Sequence, residues 1–369
     1  MIHPQFWPSD FSSENRDRKI AIIGSGATAT SLLPALAQYN SAQVTQIQRS
    51  PTYIAPFPSD TTLSLPFLPS PIVNYCRRIY QILRLYFVVL ICTYFPSRVK
   101  NDIRRAGKRL LHPTQISFDE HFTPSYKPWD QRICVDWDGK FYGAFRKDNV
   151  DIATGHINHV SEGAIHFKRK QNQKQQQDDD DNNNDGRDSL EGEQERIIEV
   201  DVIITATGLR MMLGGKIIIR VDGELYTWGK RSIWNGAMLR DIPNMMFLYG
   251  YTNNVWTLGV DITARKLIRV WKYMEKRGLR MATPRISNNT MGGGSETDGD
   301  GPWRKMWPLS STYVREVEDK LPRHRATGKN WTPRDCPPVD YLHARWGNCT
   351  TGLEFSEGKT PVLRPSSRM

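Results

Sequence analysis

The residues with the clearest chemical meaning form a glycine-rich turn near the N-terminus. The turn follows an apolar run at residues 19–23, precedes a helical pattern that reaches about residue 39, and comprises Gly24, Ser25, Gly26, Ala27, Thr28 and Ala29. A strand, a tight turn and a helix in this order present free backbone amides and the positive end of a helix to a pyrophosphate. Gly24 permits the turn, Gly26 leaves room for the ligand, and Ala29 lets the helix lie close to the strand. The pattern predicts a dinucleotide site; the alternative is a purely structural glycine turn.

A second apolar strand is expected at residues 44–48, and the residues at its end indicate which dinucleotide binds. Sites for NAD usually carry an acidic residue there, which holds the ribose 2′-hydroxyl. This chain has Arg49 and Ser50 instead. A guanidinium can bind a 2′-phosphate through two hydrogen bonds and a hydroxyl can donate another, whereas a carboxylate would repel it. We therefore predict NADPH as the cofactor of this unit; the alternative is that Arg49 is an ordinary surface cation.

The composition limits the class of protein. The 369 residues are 38% hydrophobic and 24% charged, which is typical of a globular chain of two domains and excludes wholesale disorder. Fifty Lys and Arg against 39 Asp and Glu give a net charge of +11, which suits nucleic acid, an anionic membrane or a phosphorylated cofactor. The five cysteines form no CxxC pair, so we expect neither a disulfide framework nor a structural zinc site. The N-terminus lacks the pattern of a signal peptide, and we expect a cytoplasmic protein.

Residues 65–112 have a helical pattern in which basic residues are interspersed among Ile, Leu and Tyr. The nearly all-apolar run at residues 85–95 is much shorter than the ~20 residues needed to cross a bilayer. We expect a packed helix pair with a solvated basic face, and as the alternative a peripheral membrane contact through the basic segment 77–109. No recognisable nucleic-acid module accompanies the charge, so nucleic-acid binding is not expected.

Two segments are too polar or too glycine-rich to pack. Residues 170–195 consist almost entirely of Gln, Asn, Asp, Glu and Lys, and we expect a disordered, solvated insert in the loop of a hairpin. Short strands are expected on both sides of it, at residues 150–153, 164–167 and 197–204. Residues 287–301 contain a run of glycines and are expected to be a flexible linker before a C-terminal segment.

The chain resembles the class B flavoprotein monooxygenases, which include the flavin-containing and Baeyer–Villiger monooxygenases, and in particular the ethionamide-activating group among them. The resemblance rests on several segments in the family order rather than on one motif. These are the HPQFWP segment at residues 3–8, then residues 24–29, 48–53, 121–124, 128–132, 201–208, 250–258 and 310–314. Together they extend over nearly the whole chain.

This resemblance implies an α/β flavoprotein with two Rossmann-type dinucleotide-binding domains, using FAD and NADPH. It also implies a monooxygenase that forms a flavin C4a-peroxide from O2. That peroxide would insert one oxygen atom into a small ketone. Alternatively, it would add the oxygen atom to the sulfur or nitrogen centre of a small sulfide or amine.

The resemblance also assigns site residues. Arg132 matches the family's catalytic arginine, an always-charged donor suited to developing negative charge; the alternative is a surface ion-pair partner. The implied cofactor-binding residues beyond the first turn are Ala206, Thr207, Gly208, Thr252, Asn253 and Trp256. The small-residue turn at 206–208 follows an apolar strand and would bring backbone close to the dinucleotides.

The FAD fingerprint of such enzymes, GxGxxG after the first strand, has no counterpart in this sequence. We therefore expect that the first FAD-binding βαβ unit, about 150 residues, is missing through truncation; a natural paralogue without flavin chemistry is the alternative. A truncated, non-catalytic NADP(H)-binding protein is the second functional hypothesis. The expected division is a remnant of the FAD domain with the linker (1–12), an NADPH domain with a helical insertion (13–120), a returning part of the FAD domain (121–286), the linker (287–301) and a C-terminal segment (302–369).

Overall fold

The computed structural model describes residues 1–11, 17–38, 42–59, 69–169, 195–215, 217–229, 231–251, 254–286, 303–326, 328 and 330–357. The expected insert lies outside these residues apart from Glu195, and the expected linker at residues 287–301 lies outside them entirely. Thr252 and Asn253 are also outside the described part of the chain.

The described residues form a mixed set of helices and strands along the whole chain. The helices are α1 (Ala27–Leu36), α2 (Ser70–Tyr94), α3 (Pro96–Leu111), α4 (Phe118–His121), α5 (Lys140–Ala144), α6 (Trp256–Lys276), α7 (Thr312–Arg315) and α8 (Pro337–Trp346). The strands of the first half are β1 (Lys19–Ile23), β2 (Gln43–Gln48), β3 (Ile54–Phe57), β4 (Cys134–Trp137), β5 (Val150–Ser161), β6 (Ala164–Arg169), β7 (Glu195–Glu199) and β8 (Val202–Thr205). Those of the second half are β9 (Ile219–Val221), β10 (Glu224–Tyr226), β11 (Ile233–Trp234), β12 (Met238–Leu239), β13 (Met281–Pro284), β14 (Trp303–Lys305), β15 (Arg323–Arg325) and β16 (Leu353–Ser356).

The chain divides into two compact units. The first contains residues 1–62 and 92–209, and the second contains residues 63–91 and 210–369. The boundaries expected at residues 12 and 120 differ from this division. Backbone pairing explains the difference, because β5 pairs with β2, β8 pairs with β1, and Ile2 forms a bridge with Ile204 of β8.

The first unit is built on a six-stranded sheet in the order β7-β6-β5-β2-β1-β8. Strands β5, β2, β1 and β8 run parallel, and β6 and β7 extend the sheet as antiparallel strands. Parallel strands joined by helical crossovers form a Rossmann-type α/β fold, as the sequence predicts. The strands expected on both sides of the polar insert are confirmed, since β6 and β7 pair antiparallel.

Strand β1 is buried on both faces of the sheet. Ile20 and Ile22 face a core that includes Ala29 and Leu33 of α1, whereas Ala21 faces a second core on the other side. Burying each large aliphatic side chain contributes about 1.5–3 kcal/mol. Helix α1 ends at Leu36 rather than near residue 39. The strand and helix that carry the glycine turn are therefore held by the main core of the unit.

The second unit consists of short strand pairs around α6. Trp234 and Trp331 pack with Leu267 and Val270 of this helix in one core. Tyr251 and other residues form a smaller core nearby, which includes Ile262 of the same helix. Because α6 contributes to both cores, it is the central element of this unit.

The helical region expected at residues 65–112 is confirmed by α2 and α3. Among the described residues, no single helix is long and apolar enough to cross a membrane. Helices α2 and α3 together have sufficient length and apolar composition, but they are sharply bent where they join. Large apolar side chains of α2 recur at helical spacing on its surface and are more than 40% exposed: Ile72, Tyr75, Tyr80, Leu83, Phe87, Ile91 and Tyr94. This helix therefore presents an apolar face to solvent.

Candidate functional site: a dinucleotide turn at the sheet edge

The glycine turn lies where β1 ends at the carboxyl edge of the parallel strands. Gly24 has φ +138°, a conformation that side-chain-bearing residues rarely adopt. A Cβ on Gly24 would lie 2.1 Å from the carbonyl oxygen of Ala206. The Gly24 N–H donates to the Ile47 carbonyl at 2.8 Å, and Gln46 Nε2 donates to the Gly24 carbonyl at 3.0 Å. The turn is thus fixed between β8 on one side and β2 on the other.

Helix α1 begins directly after the turn, so its N-terminus lies close to the carboxyl end of β1. Gly26 is the N-cap, and no side chain caps it. A Cβ on Gly26 would have nothing within 4 Å, so the space in front of the helix is open. Ala27 and Thr28 are exposed, Ser25 is half-buried, and Ala29 is fully buried against the core. Uncapped amides beside open space form a favourable site for a phosphate group.

Arg49 and Ser50 follow the last residue of β2 and are both exposed. Arg49 has no ion-pair partner among the residues that the structure describes, and the sequence places no carboxylate beside it. Since β1 and β2 are parallel neighbours, this cation and hydroxyl lie at the same sheet edge as the glycine turn. The donor set matches a ribose 2′-phosphate rather than a ribose 2′-hydroxyl.

A buried hydrogen-bond network supports the end of β2. Gln48 Nε2 donates to the His121 carbonyl at 2.6 Å and to Thr154 Oγ1 at 2.9 Å. His121 Nδ1 lies 2.8 Å from Thr154 Oγ1. The side chain just before Arg49 is therefore held by α4 and β5, which limits where the backbone of Arg49 can move.

The small-residue turn after β8 completes this edge. Ala206 is buried under Gly24, while Thr207 and Gly208 are exposed. Gly208 has φ +114°, and a Cβ there would meet nothing within 4 Å. The residues at 206–208 and the first glycine turn, which are far apart in sequence, thus lie side by side at the ends of β8 and β1.

Arg132 lies beside the segment that leaves β2. It is exposed, and it precedes β4, which pairs parallel with β3. The Cys134 N–H donates to the Tyr53 carbonyl at 2.8 Å. Burial raises the pKa of the Cys134 thiol, although hydrogen bonds with the side chains of Thr30 and Thr52 lower it. The backbone two residues after Arg132 is therefore hydrogen-bonded to the segment that follows Arg49.

Trp256 belongs to the second unit, where it is the first residue of α6. Its ring meets Tyr249 edge-on with the centroids 4.8 Å apart. A Cβ on Gly250 would lie 2.4 Å from the Trp256 carbonyl oxygen, so this glycine permits the close approach. Trp256 thus has a fixed place in its unit, while Thr252 and Asn253 lie outside the described residues.

Sequence reasoning missed a buried polar cluster in the second unit. Lys266 Nζ lies 3.1 Å from His343 Nδ1, and Tyr251 OH donates to Asp340 Oδ2 at 2.7 Å. Burial, with a contribution from nearby Arg334, lowers the pKa of Lys266 to about 7. Burial raises the pKa of Asp340 to about 6. No sequence signal reveals this cluster, because its members are far apart along the chain and are of types usually found on surfaces.

No model of a protein family matches the chain. Among curated proteins, it is 33% identical to the FAD-containing monooxygenase EthA of Mycobacterium tuberculosis over 366 residues, covering 98% of this chain and 67% of EthA. It is 30% identical to the probable FAD-binding monooxygenase AlmA of an Acinetobacter species over 325 residues, covering 87% of this chain and 58% of AlmA. The chain therefore spans about three fifths to two thirds of the length of these relatives.

A solved structure is similar in fold. The crystal structure of OTEMO in complex with FAD and NADP aligns with a TM-score of 0.55 at 16% identity, covering 96% of this chain and 71% of that one. At this identity the likeness concerns the fold alone. It agrees with the Rossmann-type fold of the first unit.

Proposed function

We propose, because this chain belongs to the family of FAD-containing monooxygenases, that it binds NADPH and FAD and transfers one oxygen atom from O2 to a small organic substrate. The finer proposal is insertion of oxygen into a ketone or its addition to a sulfur or nitrogen centre. The curated relatives are FAD-containing or FAD-binding monooxygenases by name, which supports the reaction class.

One observation carries the proposal for NADPH. The Gly24 turn, the uncapped start of α1 and the cation Arg49 lie together at the carboxyl edge of parallel strands. In open α/β sheets, ligands bind outside this edge. The open space at Gly26 fits a pyrophosphate, and the lack of a neighbouring carboxylate fits a 2′-phosphate.

Different residues would have separate roles in this site. The amides at Gly26, Ala27 and Thr28 would hold the pyrophosphate, since they lie at the positive end of α1. Arg49 and Ser50 would hold the 2′-phosphate. FAD, when bound, supplies the activation of O2. Arg132 would hold negative charge that develops near the reacting atoms, because a guanidinium remains charged at all working pH values.

Flavin binding and NADPH consumption test the proposed function. The chain is purified with added FAD, its visible absorbance is recorded, and NADPH oxidation under air is compared with and without a ketone or sulfide. We expect flavin absorbance that remains after gel filtration, together with an oxygenated product. A chain that binds NADPH but retains no flavin would contradict the proposed monooxygenase activity. The proposed NADPH binding would then still hold.

That outcome would favour the second candidate function, a non-catalytic NADP(H)-binding protein. The observation in its favour is that residues 24–29 are the only GxGxxG-like motif in the sequence. The first unit with its six-stranded sheet contains this turn. The flavin measurement above separates the two candidates.

We further propose a cytoplasmic protein that contacts an anionic membrane surface through residues 77–109. The exposed apolar face of α2 supports this, as do the exposed cations of α3, among them Arg98, whose side chain is 81% exposed. Co-sedimentation with vesicles containing phosphatidylserine tests it. Phe87→Glu should reduce the bound fraction, whereas Ile268→Glu, at an exposed apolar position of α6, should not. Equal binding by Phe87→Glu and the unaltered chain would contradict the membrane contact.

A further inference from the structure

Two histidines and a glutamate meet on the antiparallel extension of the sheet in the first unit. His159 lies on β5, His166 on β6 and Glu195 at the start of β7. One ring nitrogen of each histidine and one carboxylate oxygen of Glu195 lie within 4.8 Å of one another. Three strands thus each supply one potential metal ligand.

Strand register explains why these side chains meet. His159 is the direct cross-strand partner of His166, after an irregularity in pairing between Ile157 and His159. The two rings stack with centroids 3.9 Å apart. Glu195 lies diagonally across from His166, with its Oε1 3.6 Å from His166 Nδ1. Neighbouring positions on one face of a sheet bring such side chains into contact range.

A second contact orients the ring of His166. Its Nε2 lies 3.0 Å from Ser161 Oγ. If Nε2 donates to this hydroxyl, the lone pair of Nδ1 remains available on the side that faces Glu195. Metal-binding histidines commonly use the second ring nitrogen in such an outer hydrogen bond, which sets the tautomer.

We propose that His159, His166 and Glu195 form a binding site for a divalent transition metal ion such as Zn²⁺. Two neutral imidazoles and one carboxylate suit zinc, copper or nickel, and they leave a position for water. Ligands on tetrahedral zinc lie about 3.3 Å apart, given bonds of about 2.0–2.1 Å. The ring of His159 must turn out of its stack to reach that spacing, and this side chain is exposed.

A neighbouring cation would compete with the metal ion for the carboxylate of Glu195. Lys168 is the cross-strand partner of both Glu195 and His156, so it offers a competing cation for the carboxylate. Bound metal would link β5, β6 and β7 on either side of the polar insert that joins β6 to β7. Because it links three strands of the native sheet, it would stabilise the folded chain by mass action.

Titration of the purified full chain with Zn²⁺ alone tests the site. We expect one Zn²⁺ per chain by calorimetry in a metal-free buffer, with a rise in the unfolding temperature. His159→Ala and Glu195→Gln should weaken binding at least tenfold, since removing even an outer partner costs about 10–100-fold. Ser161→Ala should weaken it less than either ligand substitution.

His156→Ala provides the matched control, because His156 is exposed on the same strand but outside the cluster. It should leave the affinity and the change in unfolding temperature unchanged. Absence of Zn²⁺ binding to the unaltered chain, or equal affinity in His159→Ala, would overturn the proposal.

Discussion

Gly24 and Ala206 lie so close together that the backbone of Ala206 occupies the space that a side chain on Gly24 would need. A Cβ on Gly24 would lie 2.1 Å from the Ala206 carbonyl oxygen. This contact joins the turn after β1 to the turn after β8, and both contain residues assigned to the cofactor. Gly24→Ala should therefore lower the free energy of unfolding by about 2–5 kcal/mol, through overpacking together with an unfavourable φ. Chemical denaturation measures this loss.

Gly26→Ala separates cofactor binding from stability at the same turn. Gly26 does not have a positive φ, and its Cβ would point into open space, so the fold should retain its unfolding temperature. The added methyl group would stand where the pyrophosphate approaches, so the affinity for NADPH should fall. Fluorescence titration with NADPH measures the affinity. A variant that binds NADPH as well as the unaltered chain would show that the pyrophosphate lies elsewhere.

A buried histidine predicts how stability depends on pH. Burial, with the positive charge of Arg334, lowers the pKa of His324 from 6.5 to about 4. The unfolded chain therefore binds an additional proton between these pH values. The contribution of neutral His324 to the free energy of unfolding is fully present above pH 6.5. As the pH falls towards 4, up to about 3 kcal/mol of it is lost.

His324→Gln should reduce this loss, because an amide does not titrate. Asp340 has the opposite sign, since its pKa is raised from 3.8 to about 6 and its contribution is lost as the pH rises through that interval. Because Asp340 is present in every variant, its contribution to the pH profile cancels when the variants are compared. His156→Gln, at an exposed position, is the control and should keep the pH profile of the unaltered chain. Denaturation curves at several pH values give the result, and identical profiles for His324→Gln and the control would contradict the assignment.

Arg132→Ala should reduce oxygenation while NADPH binding persists. Arg132 is exposed near the chain that follows Arg49, but the 2′-phosphate and pyrophosphate are assigned to other residues. Removing one preorganised charged donor commonly costs about 10²–10³-fold in rate. Product formation and NADPH affinity are measured on the same preparation. A parallel loss of both would indicate that Arg132 serves the cofactor site instead.

The sequence predicted those parts of the fold whose signals are local. The apolar run of β1, the glycines after it and the strand that ends before Arg49 follow one another within about thirty residues, so their pattern was sufficient. The division into two compact units does not follow from local patterns, because strand pairing is not local. Strands β5 and β8 return to the sheet of β1 and β2 after a long helical interruption.

The residues proposed for the first glycine turn and the end of β2 belong to the same local pattern, whereas other features depend on how distant parts of the chain pack. Ala206 was identified by resemblance, yet its contact with Gly24 depends on which strand becomes the neighbour of β1. The cluster of Lys266 and Asp340 depends on the packing of α8 against α6, which brings together residues 74 positions apart. Charged residues with helical spacing are usually interpreted as a solvated face, so only the packed structure reveals their burial.

The NADPH preference at the end of β2 is the central claim, and Arg49→Ala tests it most directly. Loss of a charge-assisted contact costs about 1.5–3 kcal/mol, so affinity for NADPH should fall at least tenfold while affinity for NADH stays nearly unchanged. Arg98→Ala, which removes an exposed cation of α3, is the control and should affect neither cofactor. The measurement is a pair of titrations, with NADPH and with NADH, on each variant. Selective loss of NADPH affinity agrees with the account, and equal losses for both cofactors, or none for either, would contradict it.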